Sequence, residues 1–131
     1  MPSLSRRIPD RVDADRVSVA AGMILARDGR VRIGALAAYS GIGSRQLERE
    51  FVSRYVMSPK LYARIVRFQA ALDSKARSSA KSWTDVAHEF GYHDQMHMIH
   101  DFEEFTGETP TRTLRLVELS QFNNSYPGVH C

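Results

Sequence analysis

Apolar residues recur along most of this chain at intervals of three and four, the spacing that places them on one face of an α-helix. The first such run covers about residues 14–26 and is stopped by Gly29. A short second helix begins at Ile33 and is predicted to end before Gly41, because glycine tolerates the positive φ of a tight turn. Ser44 can then cap a third helix with an apolar face. That face carries Leu47, Phe51 and Tyr55.

The second half of the chain continues with the same periodicity. The longest run begins at Pro59, a favourable first helical residue, and ends in a serine-rich connection. A further helix starts near Ser82 and is broken by Gly91, and the next one is capped by Asp94. A last helix begins at Pro110. No stretch alternates with the period of two that a half-buried strand requires, so the pattern predicts an all-α fold of about seven helices.

One pattern of residues occurs twice, about 50 positions apart. In each copy an alanine precedes a glycine by four residues. Two apolar residues follow, and then a serine or threonine directly before a proline. The copies are Ala37, Gly41, Leu47, Phe51, Ser58-Pro59 and Ala87, Gly91, Met98, Phe102, Thr109-Pro110. Alanine lets two helices approach, glycine makes the sharp turn, and the apolar pair anchors the second helix on the first. This is helix-turn-helix geometry, although a plain helical hairpin would give one copy equally well.

The composition fits a chain that folds around its own core in a reducing compartment. Of its 131 residues 43% are hydrophobic, enough for one compact domain. The single cysteine, Cys131, excludes an internal disulfide and a cysteine zinc site. No apolar stretch approaches the roughly 20 residues of a membrane helix, and the first residues do not form a signal peptide. We therefore expect a cytoplasmic protein.

Charge is distributed unevenly along the chain. From Arg27 to Arg77 eleven basic residues face four acidic ones, a net charge of +7. From Trp83 to Thr109 there are seven acidic residues and no lysine or arginine, a net charge of −7. A clustered basic surface is typical of nucleic-acid binding, so the first unit is the stronger candidate for that function.

Three stretches together resemble the DNA-binding domain of the AraC/XylS family of transcription regulators. They are RIGALAAYSGIGSRQLEREF, MSPKLYARIVRFQAAL and WTDVAHEFGYHDQMHMIHDFEEFTGETP. The most distinctive pieces are SPKLYARIVRFQ and GYHDQ followed by phenylalanine and the TGxTP ending. The resemblance covers about residues 14–115. It implies two helix-turn-helix subdomains joined by a long linker helix, with each second helix in a successive major groove of double-stranded DNA and RNA polymerase as a further partner.

The same resemblance predicts how the chain is organised. The expected segments are an arm or linker remnant (1–13), a first helix-turn-helix subdomain (14–58), a linker helix (59–77), a second subdomain (78–119) and a tail (120–131). Family members usually carry a separate sensor or dimerisation domain, and this sequence has no room for one. Either the chain is the module of a longer regulator or it belongs to the minority of members that act alone, and the linker-like arm favours the longer regulator.

Four residues of the first unit are candidates for contacts to DNA bases. A recognition helix directs its first two turns at base edges, and arginine can bind guanine through two hydrogen bonds. Arg45, Gln46 and Arg49 lie in those turns. By resemblance, Arg45, Glu48 and Arg49 match base-facing positions. Glu48 either accepts from a cytosine amino group or orients the two arginines.

The first unit and the linker helix also carry candidates for phosphate contacts. Ser44 lies where a helix N-terminus would hold a phosphate. Arg54, Lys60 and Arg64 supply positive charge nearby in the sequence. Solvated surface residues are the alternative interpretation of all three.

The second unit departs from the family pattern. Gln95, Met96, His97 and His100 match its base-facing positions, but the arginine expected near His100 is missing. The acidic residues that follow would repel a phosphate backbone, namely Asp101, Glu103 and Glu104. Gln95 can still bind adenine and His100 can donate a hydrogen bond, so we expect weaker DNA contacts here.

Other functions are less well supported by the residues. His93, His97, His100 and Glu104 fall at spacings that could bind zinc or nickel. The acidic second unit could instead dock a basic protein partner. No nucleophile, base and orienting acid occur at a recognisable spacing, so we expect neither an enzyme nor a cofactor.

Overall fold

The computed structural model describes residues 16–124, and every regular element in that range is a helix. Helix α1 is described over residues 16–26. The others are α2 (Ile33–Ser40), α3 (Ser44–Tyr55), α4 (Pro59–Arg77), α5 (Trp83–Glu89), α6 (Gln95–Thr106) and α7 (Pro110–Asn124). The absence of strands between residues 16 and 124 agrees with the predicted all-α fold. The predicted arm at 1–13 lies outside the described residues, as do residues 125–131 of the predicted tail.

The described chain divides into two compact units, and the boundary follows Arg67 within α4. The first unit packs α1, α2, α3 and the beginning of α4 around one apolar core. This core contains Val17, Ala20, Ala21, Ile24, Leu36, Ala37, Leu47, Phe51, Ala63 and Val66. The ring of Phe51 is fully buried and lies 4.7 Å from Tyr55 and 5.3 Å from Tyr62, centroid to centroid. These aromatic contacts hold α3 against α4.

The second unit has a core of its own, built from the end of α4 with α5, α6 and α7. It contains Phe68, Ala71, Leu72, Val86, Ala87, Phe90, Tyr92, Met98 and Phe102. Phe102 is its central ring, 4.7 Å from Phe68 and 5.7 Å from Trp83. The Trp83 indole N–H donates to the Thr111 hydroxyl at 3.1 Å, which ties the start of α5 to α7.

The two copies of the repeated pattern form turns of the same geometry. Gly41 and Gly91 both have a φ of 76°, in the left-handed region that glycine favours. The carbonyl of Ala37 accepts a hydrogen bond from the residue after Gly41 at 3.2 Å, and the carbonyl of Ala87 does the same after Gly91 at 3.0 Å. The apolar pairs that follow are fully buried in both units. The chain therefore contains two helix-turn-helix units, as the repeat predicts.

Three local expectations differ from the structure. Gly43, not Ser44, is the N-cap of α3, and no side chain caps that end, because Ser44 already belongs to the first turn. The apolar run over residues 14–26 predicts that Leu25 lies on the buried face of α1, yet Leu25 is exposed. Helix α7 continues to Asn124, into the segment from residue 120 that was predicted to be a tail, because no proline or glycine interrupts it. Within residues 16–124 no helix is long and apolar enough to cross a membrane.

Candidate nucleic-acid interface

The outer face of α3 carries a continuous row of exposed side chains. Arg45, Glu48, Arg49, Val52 and Ser53 line one open groove along this helix. Their spacing of three and four residues places them on one side of the helix, opposite the buried pair Leu47 and Phe51. The structure therefore brings three of the four predicted base-contacting residues of the first unit onto one exposed surface.

Gln46, the fourth, does not line this groove. Its side chain is half-buried, and its amide nitrogen donates to the Glu50 carboxylate at 2.8 Å, one turn further along α3. A residue adjacent to buried Leu47 turns away from the exposed face, and the local hydrogen bond holds it there. Sequence position alone therefore grouped Gln46 with Arg45 and Arg49, although its side chain points elsewhere.

Two of the predicted phosphate contacts lie together in a basic cleft of the first unit. Lys60 and Arg64, one turn apart on α4, line it with Arg32 and Arg67. Its apolar surface comes from Val31, Ile33 and Ala63. Arg67 donates to the Gly29 carbonyl at 3.4 Å, which orients its guanidinium at the cleft. Arg32 and Arg67 were not among the predicted contacts, and only the positive charge of the segment signalled them.

The remaining two predicted phosphate contacts lie on α3 outside this cleft. Ser44 is exposed in the first turn, and Arg54 is exposed in the last turn. An arginine near a helix C-terminus interacts favourably with the helix dipole, so Arg54 also has a structural role available to it.

In the second unit, the N-terminus of α6 holds the four predicted base contacts. Gln95, Met96, His97 and His100 are all exposed. The Gln95 side-chain oxygen accepts from the Thr84 hydroxyl at 2.8 Å, which links α6 to α5. This hydrogen bond engages the oxygen of the Gln95 amide and fixes the side chain against α5. The second unit thus offers polar and apolar contacts but no lysine or arginine between Trp83 and Thr109.

Asp94 organises the same end of α6. Its carboxylate accepts from the backbone N–H of His97 at 2.9 Å and lies 2.8 Å from Nδ1 of the His97 ring. The hydrogen bond from the His97 side chain, assisted by the backbone hydrogen bond, lowers the pKa of Asp94. The His93 ring packs edge-on against the His97 ring, 5.2 Å between centroids. His97 is therefore held by Asp94 through both its backbone N–H and its Nδ1 atom.

The proposed histidine metal site does not form among the described side chains. No group of three His, Cys, Asp or Glu residues in that part of the chain is arranged to hold a metal ion. The Nδ1 atom of His97 is directed at Asp94, which accounts for one ring of the predicted set. The spacing of these residues in the sequence did not predict which way the rings point.

Comparisons with known proteins agree with this arrangement. A family model described as a helix-turn-helix domain matches residues 36–116. A transcriptional regulator from Chromobacterium violaceum with an AraC-type DNA-binding domain superposes with a TM-score of 0.68 and 22% identity, covering 79% of this chain and 92% of that one. A protein described as a probable AraC family transcriptional regulator, from Rhodopseudomonas palustris, superposes with a TM-score of 0.67 and 28% identity. The match covers 77% of this chain and 95% of that one. No curated protein sequence matches the chain.

The family model spans more than half of the 131 residues and includes both repeated turns. The two solved structures share the helical fold over most of their length. The chain therefore belongs to the AraC-type helix-turn-helix family of DNA-binding domains.

Proposed function

We propose that this chain binds duplex DNA sequence-specifically as the DNA-binding module of a transcription regulator. Helices α3 and α6 are the recognition helices, and each enters the major groove, in two successive turns of the duplex. One observation carries this proposal: the two units have turns of the same geometry. In each unit the second helix buries its apolar pair on one face and exposes the opposite face. Such a regulator acts on DNA in the cytoplasm, with RNA polymerase as its second partner.

In the first unit the contacts divide between bases and backbone. Arg45 and Arg49 bind guanine at O6 and N7, and Glu48 between them accepts from a cytosine amino group or orients the arginines. The phosphate contacts come from Ser44, Arg54, Lys60 and Arg64. They set position and affinity but carry no sequence information.

In the second unit the contacts to bases come from Gln95, Met96, His97 and His100. Gln95 has its oxygen engaged by Thr84, so its amide nitrogen is the donor available to a base. Met96 is 54% exposed and offers an apolar contact. The acidic residues further along α6 limit how closely this unit approaches the backbone.

The test is selection of bound sites from a random duplex pool at fixed salt, followed by footprinting and sedimentation of the complex. We expect one protein molecule to protect roughly two turns of DNA, because two units in one chain span two grooves. Absence of an enriched site, or protection only by a dimer on a palindrome, would contradict the proposal.

Two variants separate base contacts from backbone contacts on the selected site. Arg49→Ala should lower affinity by about 1 to 3 kcal/mol and relax the preference at one base position. Arg64→Ala should lower affinity for every sequence by the same factor, because a phosphate is present at each step. If both variants act uniformly over a panel of sites, Arg49 is a phosphate contact.

A further inference from the structure

One apolar side chain on α3 faces solvent. Leu47 and Phe51 are fully buried and Tyr55 is half-buried, whereas Val52 is 43% exposed. The core of the first unit does not need this residue. Its place on the outer face of the helix leaves it available for contact with a ligand.

Val52 continues the row formed by the predicted base contacts. It lies seven residues after Arg45, four after Glu48 and three after Arg49, and it lines the same groove as they do. At a rise of about 1.5 Å per residue, Val52 is about 10 Å beyond Arg45 along the helix, or about three base-pair steps. It is separated from Arg49 by about one base-pair step.

The chemistry of the major groove offers Val52 one apolar partner. All four bases present hydrogen-bonding groups there, and thymine alone adds a methyl group at C5. A valine side chain is short, so such a contact requires the helix to approach the bases closely. Ser53, next to Val52 in the same groove, is small and permits that approach.

We propose that Val52 is a further specificity-determining residue of α3 and contacts the C5-methyl group of a thymine, about one base pair from the base that Arg49 binds. This inference rests on the proposed function, since it assumes that α3 lies in the major groove. It adds a preference for thymine at a position that no polar side chain of the helix recognises.

The experiment uses the selected duplex and a set of variants of its half-site for the first unit. In each variant one thymine is replaced by deoxyuridine, which removes only the methyl group. At one position the unmodified protein should lose about fourfold in affinity, the value of one buried methyl-sized group. Val52→Ala should bind thymine and deoxyuridine duplexes equally. Val19→Ala is the matched control, because Val19 has nearly the same exposure, 42%, on α1 of the same unit.

The outcomes are distinct. Loss of thymine discrimination in Val52→Ala but not in Val19→Ala supports the contact. The thymine contact is overturned if all three proteins discriminate equally, if none of them discriminates, or if the half-site contains no thymine. In each of these cases DNA binding itself stands. Failure of the unmodified protein to bind any duplex would overturn the proposed function and this inference together.

Discussion

Val56 and Gly107 occupy equivalent places in the two repeats, five residues after the buried phenylalanines. Both end a helix in the left-handed region, with φ of 62° and 77°. Glycine adopts this conformation freely, but a β-branched residue does so at a cost of about 1 to 2 kcal/mol. The first unit therefore contains a strained helix end that the second unit avoids.

Replacing Val56 with glycine should stabilise the protein. Val56 is 85% exposed, so little packing is lost, and relief of the strain outweighs the greater freedom of glycine in the unfolded chain. We expect a net gain of about 0.5 to 1 kcal/mol, seen as a higher midpoint in thermal unfolding. Val52→Gly, inside α3, should lower the midpoint. An unchanged or lower midpoint for Val56→Gly would show that the left-handed conformation is not costly here.

Gly29 illustrates a different constraint, the close approach of a loop to a helix. A Cβ atom at this position would lie 2.7 Å from the backbone nitrogen of Arg67 and would also collide with the Ala63 carbonyl oxygen. Gly29→Ala should therefore lower the free energy of unfolding by about 2 to 4 kcal/mol, from overpacking and a left-handed φ together. Gly22→Ala, in open space on α1, should raise it by about 0.5 to 1 kcal/mol. Chemical denaturation of both variants measures the contrast, and similar effects would refute it.

At the scale of elements, α5 and α6 start with side-chain caps of different chemistry. Ser82 accepts from the backbone N–H of Asp85 at 3.0 Å, and Asp94 accepts from that of His97 at 2.9 Å. A hydroxyl does not ionise in the accessible pH range, whereas a carboxylate does. The two caps should therefore respond differently to acid.

Removing each cap tests this difference. Because the pKa of Asp94 is lowered on folding, its charge stabilises the protein fully above its unfolded pKa of about 3.8, and the stabilisation is lost as the pH falls through the lower folded value. The loss of stability in Asp94→Ala, followed from about pH 7 downward, should shrink below about pH 4. The loss in Ser82→Ala should not vary with pH. Thermal unfolding over this range measures both, and a pH-independent Asp94→Ala effect would contradict the ionic cap.

At the scale of the whole molecule, the division of charge should govern DNA affinity. Each phosphate neutralised adds about 0.9 to the slope of log affinity against log salt, so the segment from Trp83 to Thr109, which has no lysine or arginine, adds almost nothing. We expect a small slope for a protein that covers two grooves. We also expect the Arg45→Ala and Arg49→Ala pair to cost more affinity than the Gln95→Ala and His100→Ala pair. Equal losses would show that the second unit contributes as much as the first.

Much of this fold follows from local sequence information. The period of the apolar residues predicted the helices, glycines marked both turns, and Asp94 was identified as a cap, because each effect acts within a few residues. The internal repeat predicted both helix-turn-helix units, since the same spacing of small and apolar residues requires the same packing. Arg45 and Arg49 were predicted from their position in the first two turns of α3, whereas Glu48 was grouped with them through the family resemblance.

Other features depended on contacts between elements that are distant in sequence. The collision that makes glycine necessary at position 29 comes from α4, 34 to 38 residues later, and the same contact brings Arg67 into the basic cleft beside Lys60. The Thr84 partner of Gln95 depends likewise on how α5 packs against α6. The sequence by itself determined the helices, their turns and the repeated unit, because these are set by spacing along the chain. Only tertiary structure decided which polar side chains converge and which are held by neighbours, because those contacts exist only after the helices have packed.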